Sequence, residues 1–299
     1  MECIYDAKSN CFWGNTQKNK KLEQVMWHIT NLCNLNCKIC FTKKMRPLNY
    51  MVDKEKIPSS IKLLKELGVK KIDLSGGEPL LYKHLPYLIT SCISNGLYVT
   101  ITTSGYGSKE NIRWICNHWD CFSRIIESLD GMPTLHNELR NSKISYSKFE
   151  TFHNALKDAG CDRIRINTVV TKKLFNQENE SFELCNHIKK LSPNDWCLIQ
   201  PYPLNKADDF IFNSLSDIEF ADFVNKKRQF FLNNCLIVDY RTNRDFASYW
   251  ALFGNDLLCH SSSMINYDTK FLLNNENLET IRQHVQKNNQ TYIKIRRNE

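Results

Sequence analysis

The sequence predicts an α/β protein with a parallel sheet, either open and doubly wound or a barrel, and a C-terminal capping extension. Six short β-type runs alternate with six amphipathic runs of helix length, which favours a parallel sheet joined by crossover helices. Gly68, Gly96 and Gly160 each stand just past a helical run, where a left-handed residue ends a helix. With 299 residues, 42% of them hydrophobic, the chain has the length and apolar content for a substantial core.

Residues 1–22 are polar and end in Lys18, Lys20 and Lys21, a lead-in to the core domain expected over 23–232. The strands are Val25 to Thr30, Lys70 to Leu74, Leu97 to Thr103, Ser123 to Leu129, Arg163 to Val170 and Trp196 to Gln200. Their apolar residues recur at short spacing and each run is bounded by polar or turn residues. The helices are Lys54 to Leu67, Leu85 to Ser94, Lys109 to Asn117, Tyr146 to Ala159, Glu180 to Leu191 and Asp217 to Leu232. Past 232 the alternation breaks. Ile237 to Tyr240, Ser248 to Phe253 and a helix from Leu278 to Val285 read as an extension, 233–299, capping the open side of the array.

Composition excludes several classes. Charged residues at 24% and aromatics at 11% are those of a globular chain rather than a disordered one. No run reaches the length of a membrane span, and the start has no signal-peptide pattern, so a cytoplasmic location is expected. The net charge of +8 is spread along the chain. A nucleic-acid partner is not expected, while an acidic or phosphorylated substrate fits. Thirteen cysteines, an odd number, argue against a fully paired disulfide framework and for reduced thiols.

Three of those thiols are grouped. Cys33, Cys37 and Cys40 follow the first strand, at the C-terminal mouth where parallel βα arrays build active sites. Three thiolates at this spacing suit an iron-sulfur cluster with one iron left without a protein ligand. Structural zinc and ordinary packed thiols are the alternatives, zinc being the poorer because no second CxxC supplies a fourth ligand.

This CxxxCxxC segment, followed by Ser75-Gly76-Gly77-Glu78-Pro79 after the second strand, resembles the radical S-adenosylmethionine (SAM) superfamily. The resemblance implies a partial (β/α)6 barrel of the TIM type with the C-terminal capping extension, and a [4Fe-4S] cluster on Cys33, Cys37 and Cys40. Its open iron would bind S-adenosyl-L-methionine, whose reductive cleavage yields a 5′-deoxyadenosyl radical that takes a substrate hydrogen. By the same resemblance Ile39 contacts the adenine, and Gly76, Gly77 and Glu78 meet the methionyl amine, with Glu78 as acceptor. Thr103, Ser128 and Arg140 complete the cofactor site, and a flavodoxin or ferredoxin is the expected reductant. A small-molecule or peptide substrate is the expected partner.

Within the superfamily, Arg165-Ile-Asn167-Thr-Val-Val through Trp196-Cys-Leu-Ile-Gln200 looks like the viperin-like, nucleotide-dehydrating branch. That likeness implies that Arg165, Asn167 and Tyr249 face the substrate. Alternation on the fifth strand places Arg163, Arg165, Asn167 and Val169 on one face, expected to line a cavity. Asp195 and Cys197 flank Trp196 where that branch is basic, leaving fewer ligands for a triphosphate. Ser128-Leu-Asp130-Gly131 with His136 and Arg140 also looks like the peptide-modifying branch. Most of that branch carries a cysteine-rich tail for further clusters, whereas only Cys235 and Cys259 follow residue 200. A single-cluster enzyme is therefore expected. His28 reads as a core histidine, Cys259-His260 as part of a loop, and Trp114, Trp119 and Trp250 as core or cap aromatics.

Overall fold

The computed structural model describes residues 22–40, 42, 49–201, 214–233, 236–242, 249–261 and 269–297. The lead-in up to Lys21, and Cys3, Cys11, Cys235 and Ser248, lie outside the described residues. The alternation holds. Strand β1 (Gln24–His28) is followed by α1 (Ile57–Glu66), β2 (Lys71–Ser75), α2 (Leu85–Ser94), β3 (Tyr98–Thr103), α3 (Lys109–Asn117) and β4 (Arg124–Ser128). Next come α4 (Pro133–Arg140), α5 (Ser145–Asp158), β5 (Ile164–Val169), α6 (Lys172–Asn176), α7 (Glu178–Leu191), β6 (Asp195–Ile199) and α8 (Asp217–Phe231). The chain closes with β7 (Ile237–Arg241), β8 (Tyr249–Phe253), β9 (Leu257–Ser261), β10 (Thr269–Leu272) and α9 (Leu278–Arg297).

All ten strands form one open sheet in the order β10-β9-β8-β1-β2-β3-β4-β5-β6-β7. Strands β1 to β7 pair in parallel, β8 joins β1 in parallel, and β9 and β10 add antiparallel. The extension read as a cap thus also supplies four strands to the sheet. Arg241 pairs with Ile199 on one side and Phe253 with His28 on the other. At the β7 end, the Val238 carbonyl accepts from Arg228 Nε (3.0 Å) and the Tyr240 N–H donates to Asp239 Oδ1 (2.8 Å). Side chains thus occupy backbone groups that an edge strand would otherwise offer to another chain.

Alternation divides each strand between two environments. Val25, Trp27, Ile72, Leu74, Val99, Ile101, Ile125 and Ile164 pack outward with Ile61, Leu64, Leu88 and Leu156 of the helices, and Ile166, Trp196 and Leu198 pack outward with Leu184 and Ile188 of α7. The intervening residues face inward. Their floor is polar. Thr100 and Thr102 donate to Asp73 Oδ1 at 3.0 and 3.2 Å, and Arg124 lies 3.4 Å from Asp195. Burial pushes the Lys71 ammonium down to about 7, against the pull of Asp73. No helix among the described residues is long and apolar enough to cross a membrane.

Helix α4 was not expected from the sequence. It has only eight residues, PTLHNELR, with Leu135 and Leu139 as its only apolar side chains, too weak a periodicity to stand out. Cys259 and His260 lie in β9 rather than in a loop. Cys259 is buried and His260 packs on Trp250 at 4.5 Å. His28 is a core residue, buried and stacked on Phe253 at 4.5 Å.

Candidate active site

The cysteine loop leaves β1 at the C-terminal end of the array and is fastened there by the turn after β2. Gly77 N donates to Thr30 O at 2.6 Å and Glu78 N to Leu32 O at 2.7 Å. Two glycines make this approach feasible. Gly76 has φ +138, which L side chains rarely adopt, and a Cβ on it would lie 2.4 Å from Thr30 O. The turn and the loop therefore form one unit.

Glu78 braces this unit. Its Oε1 accepts from Leu80 N (3.1 Å) and Thr103 Oγ1 (2.5 Å), and its Oε2 accepts from Ser104 N (2.9 Å) and Ser104 Oγ (2.6 Å). A carboxylate has about four lone-pair sites, and all are taken. The Glu78 side chain ties the Gly-Gly turn to the end of β3. Burial pushes its carboxyl up, and the Ser104 and Thr103 hydrogen bonds oppose that. Sequence reading assigned Ser104 no role because its importance lies in a partner 26 residues away.

Two of the loop sulfurs have a hydrogen-bonding neighbour: Leu35 N points at Cys33 Sγ (3.4 Å), and Thr42 Oγ1 lies 3.4 Å from Cys40 Sγ. Burial raises the Cys33 thiol to about 11 and also raises Cys37, where Arg140 opposes it. Among the described residues no three His, Cys, Asp or Glu side chains converge as ligands of a single metal ion. Three soft thiolates on one loop, with no fourth protein ligand beside them among the described residues, suit a cluster with one open iron better than four-coordinate structural zinc.

The remaining predicted residues fall into two groups. Near the mouth, Ile39 packs its side chain among Leu129, Leu135 and Leu139, Thr103 is buried on Glu78, and half-buried Ser128 ends β4 opposite Asn167. Asn167 is 8% exposed, and its buried Oδ1 has no hydrogen-bond partner among the described residues, so its carboxamide is available to a ligand. The structure does not bring Arg165 and Tyr249 to the mouth. Arg165, one residue into β5, is buried between Asp195 and Asp239, and Tyr249, the first residue of β8, donates its hydroxyl to Met26 Sδ at 2.7 Å. Arg163 precedes the strand and binds the carbonyls of Asp120 and Phe122 at 2.8 Å, outside the interior.

Arg140 closes the site from α4. Its Nε and Nη2 both donate to Asp130 Oδ2 at 2.6 Å, and Asp130 Oδ1 accepts from Val169 N at 3.0 Å. The Asp130 N–H donates to His136 Nδ1 at 3.2 Å, which requires that nitrogen to be unprotonated. Burial first, and then Arg140, lower His136 from 6.5 to about 4. An unfolded chain takes up a proton between these values that the folded chain refuses. Stability present above pH 6.5 is therefore lost as pH falls toward 4, by about 3 kcal/mol. Thermal unfolding midpoints from pH 7 to 4.5 should fall less steeply for His136→Leu than for the wild type.

An open parallel βα array with three cysteines and a Gly-Gly turn at its C-terminal mouth defines the class, and the radical SAM superfamily pattern matches residues 27–185. The chain belongs to that superfamily and is an enzyme of it. Among its relatives, the S-adenosylmethionine-dependent nucleotide dehydratase of Flammeovirga pacifica is 26% identical over 250 residues, 78% of this chain and 80% of that protein. The GTP 3′,8-cyclase of Psychromonas ingrahamii is 30% identical over 161 residues, 52% of this chain and 47% of that one. Among solved structures, Streptococcus suis SuiB bound to S-adenosylmethionine superposes with TM-score 0.66 at 15% identity, over 80% of this chain and 60% of that one. Native anSMEcpe with bound AdoMet gives 0.63 at 16% identity, over 81% and 74%. Membership implies SAM and an iron-sulfur cluster as cofactors.

Proposed function

We propose that Cys33, Cys37 and Cys40 hold a [4Fe-4S] cluster and that the chain abstracts hydrogen from a small polar substrate of the nucleotide or phosphorylated-sugar class. When bound, the cluster and SAM supply a 5′-deoxyadenosyl radical. The chain's own part is placement. Gly76 and Gly77 keep the turn thin enough for close backbone approach, Glu78 with Thr103 and Ser104 stiffens it, and Ile39, Ser128 and Arg140 complete the cofactor pocket. Asn167 meets the substrate. A low-potential flavodoxin or ferredoxin supplies electrons in a reducing cytoplasm that suits the many thiols.

The observation that carries the substrate reading is the nucleotide-dehydratase relative, alike over most of both chains, together with the unengaged Asn167 carboxamide. Modification of a ribosomally made peptide is the second reading, favoured by the likeness in fold to SuiB, also solved bound to its precursor peptide SuiA. Anaerobically reconstituted enzyme with dithionite and SAM decides between them. One nucleoside triphosphate among ATP, CTP, GTP and UTP, or its monophosphate, should raise 5′-deoxyadenosine output at least about tenfold, as expected when substrate binding organises the reacting geometry. Output unchanged by all of them would overturn the nucleotide reading.

A further inference from the structure

The inward faces of β5, β6 and β7 rise in matched layers. Arg165 stands beside Asp195, Asn167 beside Cys197 and Asp239, and Val169 beside Ile199 and Arg241. Burial falls from one layer to the next. Arg165, Asp195 and Cys197 are sealed, Asn167 is 8% exposed, and Val169, Ile199 and Arg241 are half-buried. The wall therefore opens at its C-terminal end, the end at which the cysteine loop leaves β1. The orientation of Arg241 follows from its neighbours. Val238 packs outward with Trp196 and Phe231, Tyr240 packs on Phe220 of α8, and Asp239 between them binds Arg165 in the interior. Alternation then turns Arg241 inward. Its charge is felt there: burial pushes the Cys197 thiol up to about 11, and Arg165 and then Arg241 pull it down.

We propose that Arg241 binds a phosphoryl group of the substrate and so sets its orientation. The phosphoryl end lies at the β7 side of the mouth, and the hydroxyl-bearing part lies deeper, over the Asn167 carboxamide. This rests on the nucleotide reading of the site and names the residue that makes the chain select a phosphorylated form. Sequence reasoning gave a substrate contact to Arg165, whose charge is taken up by Asp195 and Asp239. Among the described inward residues of β5, β6 and β7, Arg241 is the other cation, and it stands two layers higher. A guanidinium presents a planar fork of N–H donors that matches two phosphoryl oxygens. Asn167 Oδ1, buried without a hydrogen-bond partner among the described residues, accepts from a substrate hydroxyl one layer below.

The experiment is a calorimetric titration of the anaerobically reconstituted full chain with SAM and without reductant, so that binding is read without turnover. The probes are the mono- and triphosphates of adenosine, cytidine, guanosine and uridine, and the four nucleosides. For a nucleotide that the wild type binds, Arg241→Gln should raise Kd at least about tenfold, the loss of a charge-assisted contact. The matching nucleoside should bind both proteins within about twofold of each other, and a nucleoside that the wild type does not bind itself shows that the phosphoryl group carries the affinity. Arg241→Lys keeps the charge but not the fork and should fall between. Arg113→Gln, the same change at an exposed residue of α3, should bind as the wild type does. If Arg241→Gln does not fold, Arg241→Lys decides, by weakening the nucleotide and not the nucleoside. A nucleotide Kd unchanged in the folded Arg241 variants, or a nucleoside weakened as much as its nucleotide, would overturn the role of Arg241 and leave the nucleotide reading standing. Failure of every nucleotide to bind the wild-type chain would overturn that reading and this inference with it.

Discussion

Gly77→Ala is expected to remove at least about a hundredfold of SAM cleavage and most of the bound iron, because it strikes the cysteine loop itself. A Cβ at this position would lie 2.1 Å from Leu32 O, 2.6 Å from Leu32 C and 2.8 Å from Asn31 O. These are backbone atoms, so no side-chain rotation relieves the contact. The two chains would have to part by roughly 1 Å, which breaks the 2.6 and 2.7 Å hydrogen bonds that fasten the turn to Thr30 and Leu32. Leu32 immediately precedes Cys33. Displacement on that scale costs about a hundredfold where reacting groups must be held in register, and overpacking adds about 1–3 kcal/mol of instability. Gly96→Ala is the contrast. Gly96 has φ +75 but nothing within 4 Å of its Cβ, so alanine there costs about 1 kcal/mol of local strain and should leave iron and 5′-deoxyadenosine formation normal. Iron assay and product quantitation on the two variants separate the effects. Equal behaviour of both would show that the turn's tightness is irrelevant to the site.

What the sequence revealed of this site follows the distance over which each feature is encoded. Cys33, Cys37 and Cys40 lie within eight residues and Gly76-Gly77 is a dipeptide, so both were legible as a candidate site, although spacing alone left cluster, zinc and packed thiols open. Glu78 was legible as a motif residue, but its bracing partners were not, since Thr103 and Ser104 lie at the end of the next strand. Alternation assigned Arg165 and Asn167 correctly to the inward face of β5. It carries no information on height along the strand, and one step of two residues separates a group buried in ion pairs from one left available. The short runs at Ile237 to Tyr240 and Ser248 to Phe253 likewise read as a cap, because pairing of β7 with β6 and of β8 with β1 is non-local. Helix α4 escaped notice for want of apolar residues, yet its Leu139 carbonyl accepts from Lys38 N of the cysteine loop.

Arg165→Met should unfold the protein far more readily than it alters ligand binding. The guanidinium is 2% exposed and pairs with Asp195 and with Asp239, the latter at 2.9 Å. Arg124 reaches Asp195 at 3.4 Å, so three strands, β4, β5 and β6, and the edge strand β7 meet in one charge network. Removing the central cation leaves two carboxylates in the barrel interior short of their main partner. Breaking a buried pair from one side costs about 3–5 kcal/mol, since the remaining charge is neither solvated nor neutralised. In a chain of this size that lowers the unfolding midpoint by roughly 10 °C. Adding Asp195→Asn and Asp239→Asn to Arg165→Met removes the stranded charges and should recover part of the loss, which a simple packing defect would not allow. A phosphate-binding arginine would behave in the opposite way: its loss would weaken nucleotide affinity while the unfolding midpoint stayed near wild type. Differential scanning calorimetry of the single and triple variants, set beside nucleotide titrations of the same proteins, distinguishes the two. An unchanged midpoint in Arg165→Met would sink the structural role assigned to this ion-pair centre.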